Sequence, residues 1–276
     1  MAQTTTLNSE LFANLVVEAQ MAAYENSVIR QIATVFDAPA NAGKVLQVPV
    51  WAGVTAASLT EGTPATPTDV DTSSALITLA EVGVYHRITD MLRDSAYSDV
   101  AAQLGDASGR AIAEKMDANA FALFSGFTGD VGGAGVELTP ALIMKAAATL
   151  RARKVMGPFY AVVRPEQAFA LKAALTATTA YTANTNAGNR ALDAYYVGSI
   201  GGVTILESSL VAVSGTDAVA GVFAPGAIGH AMRGSIGYEA TRQAQNRATD
   251  LMVTAVAGEA ILQADFGVKI TADAVI

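Results

Sequence analysis

An α+β fold is predicted for this 276-residue chain by three stretches of its sequence. The first is Asp94 to Phe127 (DSAYSDVAAQLGDASGRAIAEKMDANAFALFSGF), which holds no proline. It carries cap residues Asp94, Ser95, Ser98 and Asp99 at its start and Gly126 near its end, and so reads as one long helix. The second is a pair of strand-like runs, Val45 to Trp51 (VLQVPVW) and Ala75 to Ile88 (ALITLAEVGVYHRI), on either side of a segment poor in large apolar residues. The third is a closing series of strands and turns: Tyr195 to Ile205, Ala218 to Ala224, Ala227 to Met232, Ser235 to Arg242 and Leu251 to Asp265. Helices and strands in separate runs, without strict alternation, indicate α+β.

Taken in order, residues 1–8 are polar, and Leu11, Leu15, Ala19, Ala22, Val28, Ile32 and Val35 then recur at helical spacing from Ser9 to about Phe36. A break falls near Asn26 and Ser27. Nothing nearby completes a core for this segment, so it reads as an arm that lies on another part of the fold or on a neighbouring subunit. Between the two strand-like runs, AGVTAASLTEGTPATPTDVDTSS cannot fold on a core of its own. A long structureless insert is unusual inside a domain, so the segment reads as an extended hairpin arm with its tip near Glu61 to Pro67.

The helix from Asp94 would be a rod of roughly 40 Å at about 1.5 Å per residue. Asp99, Gln103, Asp106, Arg110 and Asp117 form a polar stripe, opposed by Tyr97, Val100, Leu104, Ala111, Ile112 and Met116. Phe121 and Phe124 fall on the polar side, so the last turn is expected to be buried all round. Gly105 and Gly109 each cost about 1 kcal/mol relative to alanine inside a helix. Two readings stay open for them: close approach of another backbone, or a bending point. A glycine loop, GDVGGAGVEL, follows, and Thr139 with Pro140 forms an N-cap and N1 pair that opens a helix to about Lys154. Gly157 and Pro158 stop it, Phe159 to Val163 is a short buried strand, and Pro165 opens a helix through Leu175. The Thr/Ala/Asn run from Thr176 to Arg190 reads as a surface loop.

Composition narrows the function. Hydrophobic residues make up 51% and charged residues only 15%, against a usual quarter, which fits extensive subunit contact. The net charge of −8 argues against gripping nucleic acid by its phosphates. The one dense basic run, Arg151, Arg153 and Lys154, suits a helix C-terminus. No cysteine is present, so disulfides, thiol nucleophiles and thiolate metal sites are excluded. The first positive side chain is Arg30, unlike a signal peptide, and apolar runs such as Ala218 to Met232 are broken by Gly221, Pro225, Gly226 and Gly229, so no membrane span is expected.

Catalytic motifs are not found. His86 and His230, the only histidines, lack partners at ligand spacing and read as structural. GSIGG at Gly198 has its serine in the wrong place for a nucleophile elbow. Ala42, Gly43 and Lys44 resemble the end of a phosphate loop, but Ala38 and Val45 replace its first glycine and its hydroxyl. Asp69, Asp71 and Ser73 begin like a calcium loop that Ser74 and Ala80 then break. With no acid/base pair, metal cluster or cofactor loop, neither catalysis nor a cofactor is expected.

The order of parts resembles the major capsid protein of tailed bacteriophages, whose fold is also used in the floor of herpesvirus shells. NSVIRQIATVFDAPANAGKVLQVPVWAGVTAASLTEGTPAT from Asn26 is similar to that family's approach to its extended loop, and YYVGSIGGVTILESSLV from Tyr195 to a glycine turn feeding an axial-domain strand. The ending GHAMRGSIGYEATRQAQNRATDLMVTAVAGEAILQADFGVKITAD resembles the family's return strands. The resemblance implies an N-terminal arm at 1–44, an extended loop at 45–84, a peripheral domain with its spine helix at 85–139, an axial domain at 140–240 and return strands at 241–276. It implies self-association into pentamers and hexamers of an icosahedral shell that encloses double-stranded DNA without binding it specifically, in the virion after assembly in the host cytoplasm. Because the recognisable arm begins within ten residues of Met1, a separate scaffold protein is expected, beside a portal. Some relatives cross-link through a lysine in the extended loop, but no lysine lies between Val45 and His86, so a covalent chainmail is not expected. Trp51, Glu61, Arg233, Arg242 and Arg247 are the candidate inter-subunit contacts, and Gly105 and Gly109 the candidate bend. Two alternatives remain: a bacterial encapsulin-type nanocompartment shell, and a small-oligomer enzyme or ligand-binding protein.

Overall fold

Three sheets carry the fold in a computed structural model that describes residues 19, 21, 27–39, 41, 43–51, 53–54, 56–59, 61–62, 64, 67, 70, 72–95, 100–177 and 198–275. The expected hairpin arm is formed by β2 (Val45–Trp51) and β3 (Thr72–Thr78), antiparallel from Val45↔Thr78 to Trp51↔Thr72. The run read as one strand from Ala75 to Ile88 is divided at Leu79, and β4 (Ala80–Thr89) joins a different sheet. The Leu79 amide donates to the Lys44 carbonyl at 2.8 Å, and the Leu79 side chain is buried with Ala38, Ile77 and Ala231. Those two contacts fix where the arm ends and the body begins.

A four-stranded sheet has the order β1-β11-β12-β4, where β1 is Thr34–Asp37, β11 is Ile228–Gln243 and β12 is Ala248–Ile261. The two runs expected on either side of Arg233 are one strand whose register shifts between Arg233 and Gly237. Gly234 sits in that bulge at φ +65°, where an L side chain is strained. The helical spacing read from Ser9 to Phe36 lies outside the described residues over 9–18. Farther on, Ala19 and Met21 are helical, residues 20 and 22–26 again lie outside the described residues, and α1 (Ile29–Ile32) follows as a single turn. Thr34 and Val35, β-branched, instead extend as β1 along the edge of β11.

The long helix is shorter than read. Asp94 and Ser95 belong to a separate α2 (Asp90–Ser95), residues 96–99 lie outside the described set, and α3 runs Val100–Ala122 before a 3-10 turn at Leu123–Gly126. It still spans roughly 35 Å at about 1.5 Å per residue and serves as the spine. Ile112, Ala113 and Met116 pack on Met232, Ile236, Leu251, Val253 and Ala255 of β11 and β12. The last turn is buried on one side only, not all round as expected: Phe121, Phe124, Phe127 and Phe223 form a ring cluster with centroids 5.5–5.9 Å apart, whereas Ala122, Ser125 and Gly126 are exposed. Two assignments on this helix change. Ala111 is exposed, and Asp117, read as part of the polar stripe, is only 2% exposed. Asp117 tolerates burial because three donors from residues 27–29 saturate its carboxylate.

A seven-stranded mixed sheet, ordered β5-β13-β10-β6-β8-β7 with β9 beside β10, forms the other body. Its strands are β5 (Gly129–Gly132), β6 (Phe159–Val163), β7 (Ser199–Ile200), β8 (Val203–Glu207), β9 (Val213–Ser214), β10 (Asp217–Phe223) and β13 (Gly267–Asp273). Helix α4 (Pro140–Ala152) buries Ile143, Ala146, Ala147 and Leu150 against this sheet. Helix α5 (Pro165–Ala177) adds Ala168 and Leu171. Two of these strands differ from expectation. The first four residues of the predicted glycine loop are β5, parallel to β13, and β13 lies beyond the last strand read. A Cβ on Gly129 would stand 2.7 Å from the Val268 side chain, so the absence of a side chain is what allows this pairing. Thr139 occupies the N-cap position with Pro140 next to it, but its hydroxyl makes no capping bond; its carbonyl accepts from the Leu142 amide at 3.1 Å. The basic run cross-links the domain instead of forming a patch: Arg151 donates to the Gly201 carbonyl and Arg153 to that of Asp265, each at 3.1 Å. Apart from Thr176 and Ala177, which end α5, the loop expected at 176–190 lies outside the described residues.

Candidate assembly surfaces

The β2–β3 arm leaves the body with little cover. Ile77 and Leu79 at its base are buried, but Val45 beside them and, farther out, Leu76, Trp51, Val54 and Leu59 stand 46–77% exposed. A two-stranded ribbon with apolar side chains on open faces is marginal in water on its own. Trp51 is the last residue of β2 and lies 67% exposed opposite Thr72. Glu61, with Gly62 at φ +80°, forms an exposed turn near the expected tip.

The three arginines do not form one site. Arg233 lies at the root of the arm, where Nη2 donates to the Gly43 carbonyl and Nε is buried without a hydrogen-bond partner among the described residues. Arg242 and Arg247 flank the β11–β12 turn and converge on one carboxylate. Arg242 makes a bidentate fork on Asp90 at 2.6 and 2.7 Å, and Arg247 reaches the same group at 3.9 Å. The Asp90 amide donates to the Arg247 carbonyl at 2.9 Å, which fastens α2 to this turn. Arg242, named as a candidate inter-subunit contact, thus finds a carboxylate within its own chain. Nothing in the local sequence announces Asp90, since 152 positions separate it from Arg242.

On the outer side of the same sheet, Arg87 forms a second fork with Asp250 at 2.6 and 2.9 Å, and Tyr85 accepts from Arg87 at 3.0 Å. The Arg87 hydrogen bond holds the Asp250 carboxyl down at about 2. The spine glycines have different surroundings. A Cβ on Gly109 would stand 2.9 Å from the Ala19 Cα and closer still to its carbonyl, so that position admits the N-terminal backbone against the helix. Gly105 is buried on the same helix, one turn earlier. Of the two histidines, Nε2 of His86 lies 2.9 Å from the Ser108 hydroxyl, which itself donates to the Leu104 carbonyl, so no nucleophile is activated there. Among the described residues no group of three His, Cys, Asp or Glu side chains could hold a metal, and no helix is long and apolar enough to cross a membrane.

Residues 71–275, well over half of the chain, match the family model described as phage capsid protein. The chain belongs to that family. As a phage capsid protein it is a major capsid subunit, a structural protein that forms shells with copies of itself and is located in the virion capsid. Solved structures agree on the fold. A chain of Mycobacterium phage Che8 has a TM-score of 0.68 at 18% identity, covering 83% of this chain and 84% of that one. The capsid of cyanophage P-SCSP1u gives 0.70 at 16% identity, with 90% and 89% covered. The SrpI encapsulin of Synechococcus elongatus PCC 7942 gives 0.65 at 11% identity, with 90% and 88% covered. No curated protein matches the chain. The tailed-phage resemblance and the α+β capsid fold read from the sequence therefore hold.

Proposed function

We propose that the protein self-assembles into pentamers and hexamers of an icosahedral shell around double-stranded DNA, the seven-stranded domain lying around the five-fold and six-fold centres. The observation that carries this reading is the β2–β3 arm: an apolar ribbon joined to a well-packed body and lacking a core of its own. In a closed shell, each arm is covered by the next subunit. Trp51 and Glu61 on the arm, with Arg233, Arg242 and Arg247 on β11 and the turn that follows it, serve as contact residues in this reading. Assembly takes place in the host cytoplasm with a separate scaffold and a portal. The wall contains the DNA without binding it specifically, consistent with a net charge of −8. Catalysis plays no part.

The test is size-exclusion chromatography and negative-stain microscopy of the purified full-length chain, alone and with its scaffold. Closed shells, or hexamers and pentamers that close when scaffold is added, are the expected result; a persistent small oligomer under both conditions overturns the reading. The likeness to an encapsulin shell favours one second reading, a nanocompartment loaded with protein. Nuclease-resistant DNA in native particles, and terminase and portal genes beside this one, decide for the phage shell; an enzyme cargo decides for the compartment.

A further inference from the structure

The two strands of the arm are rooted in the body by different means. The outgoing one is embedded. A Cβ on Gly258 of β12 would stand 3.2 Å from the Leu79 Cα and closer still to the Thr78 carbonyl, so the bare backbone there lets the end of β3 lie directly on the sheet. Ile77 and Leu79 are buried beside Ala38 and Ala231, and a Cβ on Gly229 would meet the Ile77 side chain at 3.0 Å. The incoming strand begins without such a seat. Gly43, Lys44 and Val45 are exposed, and a Cβ on Gly43 would meet nothing within 4 Å. Among the described residues, two hydrogen bonds tie the backbone of Gly43 and Lys44 to the body. The Leu79 amide donates to the Lys44 carbonyl at 2.8 Å, and Arg233 Nη2 donates to the Gly43 carbonyl.

Arg233 is placed for that bond by the strand that carries it. It shares a face of β11 with Ala231, which is buried under the arm root, and it pairs with Val256, which packs on the same cluster. The register shift begins directly after it, with Gly234 at φ +65°, and a bulge re-aims the side chain next to it. The placement is costly. Nε is buried with no hydrogen-bond partner among the described residues, and an unpaired buried donor lowers stability. An apolar side chain of similar length would fill the space without that penalty. Subunit stability alone therefore does not account for an arginine here. Because Nε is shut off from the surface, this edge of the guanidinium serves its own chain.

We propose that Arg233 is a positioning residue for assembly: by holding the Gly43 carbonyl it fixes the direction in which the β2–β3 arm leaves the body. One strand of the arm is seated by packing, so a bond on the other turns a swinging ribbon into an aimed one. A ribbon aimed before contact loses less conformational freedom when a neighbour covers it, which favours assembly at lower subunit concentration. The clasp sets the arm's departure, not the pairing of its strands, so it is compatible with fast amide exchange along the arm. This role lies within the subunit and is separate from the contact role given to Arg233 above. Its consequence for shells rests on the shell reading; the aiming of the arm does not.

The chain has no cysteine, so paired spin labels can be introduced at two exposed sites, Gln47→Cys on the arm and Glu114→Cys on the spine helix. Pulsed electron-spin resonance on unassembled full-length subunits then reads the arm-to-body distance. With Arg233 in place the labelled protein should show one narrow distance. Arg233→Met, which fills the space without a donor, should lose that peak to a broad distribution while the melting temperature stays in place and the subunit concentration needed for particles rises. Arg233→Lys should restore the narrow peak, because a single carbonyl needs only a single donor. A broad distribution with Arg233 present, a narrow one in Arg233→Met, an Arg233→Lys distribution as broad as that of Arg233→Met, or an Arg233→Met subunit that does not fold overturns the proposal. A broadened arm with an unchanged concentration threshold overturns its assembly role. If no shell forms with Arg233 in place, the shell reading fails, and the distances still decide whether Arg233 aims the arm.

Discussion

Two antiparallel hairpins of this chain, β2–β3 and β11–β12, have similar local chemistry and opposite surroundings. Both alternate side chains across a pleat, and both join strands of seven residues or more. The β11–β12 pair has β1 on one edge, β4 on the other and the spine helix across one face, so its inward residues Leu251, Val253 and Ala255 are buried. The β2–β3 pair is a sheet of two strands, and among the described residues only its base, where Ile77 is buried and Leu46 and Val48 are half-buried, reaches a core. Alternation decides that a strand forms; a second layer decides whether it is stable within one subunit. A chain that covers β11–β12 with its own elements and leaves most of β2–β3 bare is ready to be completed by its neighbours.

Substitutions sharpen that contrast. The largest effect is expected in the covered region: Phe124→Ala removes a fully buried ring of the spine cluster and should lower subunit stability by about 3–5 kcal/mol in denaturant titration. Gly109→Ala, which sets a methyl against the Ala19 backbone, should lower it by about 1–3 kcal/mol; an unchanged midpoint would leave the bending role as the reason for glycine there. On the exposed side, Trp51→Ala should leave the unassembled subunit's melting temperature in place while reducing particle yield in sedimentation. Arg242→Ala removes an exposed fork, so it should impair shell formation more than folding; normal assembly would count against its contact role. With no lysine from Val45 to His86, mature shells should show no covalent ladder on a denaturing gel. The smallest effect concerns pH. Because Asp250 is held at about 2, its link to Arg87 persists above about 3.9 and is lost only as pH falls through that low value. Arg87→Gln should return the Asp250 carboxyl to its ordinary range by NMR titration.

What was legible in the sequence follows the same division. Local signals placed β2 to the residue, as well as β6 and the start of α4, because alternation and a Thr-Pro pair act over a few positions. Pairings between distant segments were not legible. Periodicity alone carried the N-terminal helix on through Thr34 and Val35, which the edge of β11 converts to a strand. The polar stripe included Asp117 because its three donors lie about ninety positions away. Gly129 looked like a loop residue until Val268 was seen to require the missing side chain. Among the candidate contacts, Trp51 and Glu61 are exposed, whereas the partner of Arg242 and Arg247 within the chain, Asp90, had no local marker.

The central claim is that the arm is completed only by a neighbour. Hydrogen exchange of residues 45–51 and 72–78, measured in unassembled subunits and in closed shells at one pH, tests it most directly. The arm amides should exchange freely in the subunit and become strongly protected in the shell, while those of residues 251–257 in β12 stay protected in both. Arm amides equally protected before assembly, or still unprotected after it, would contradict the account.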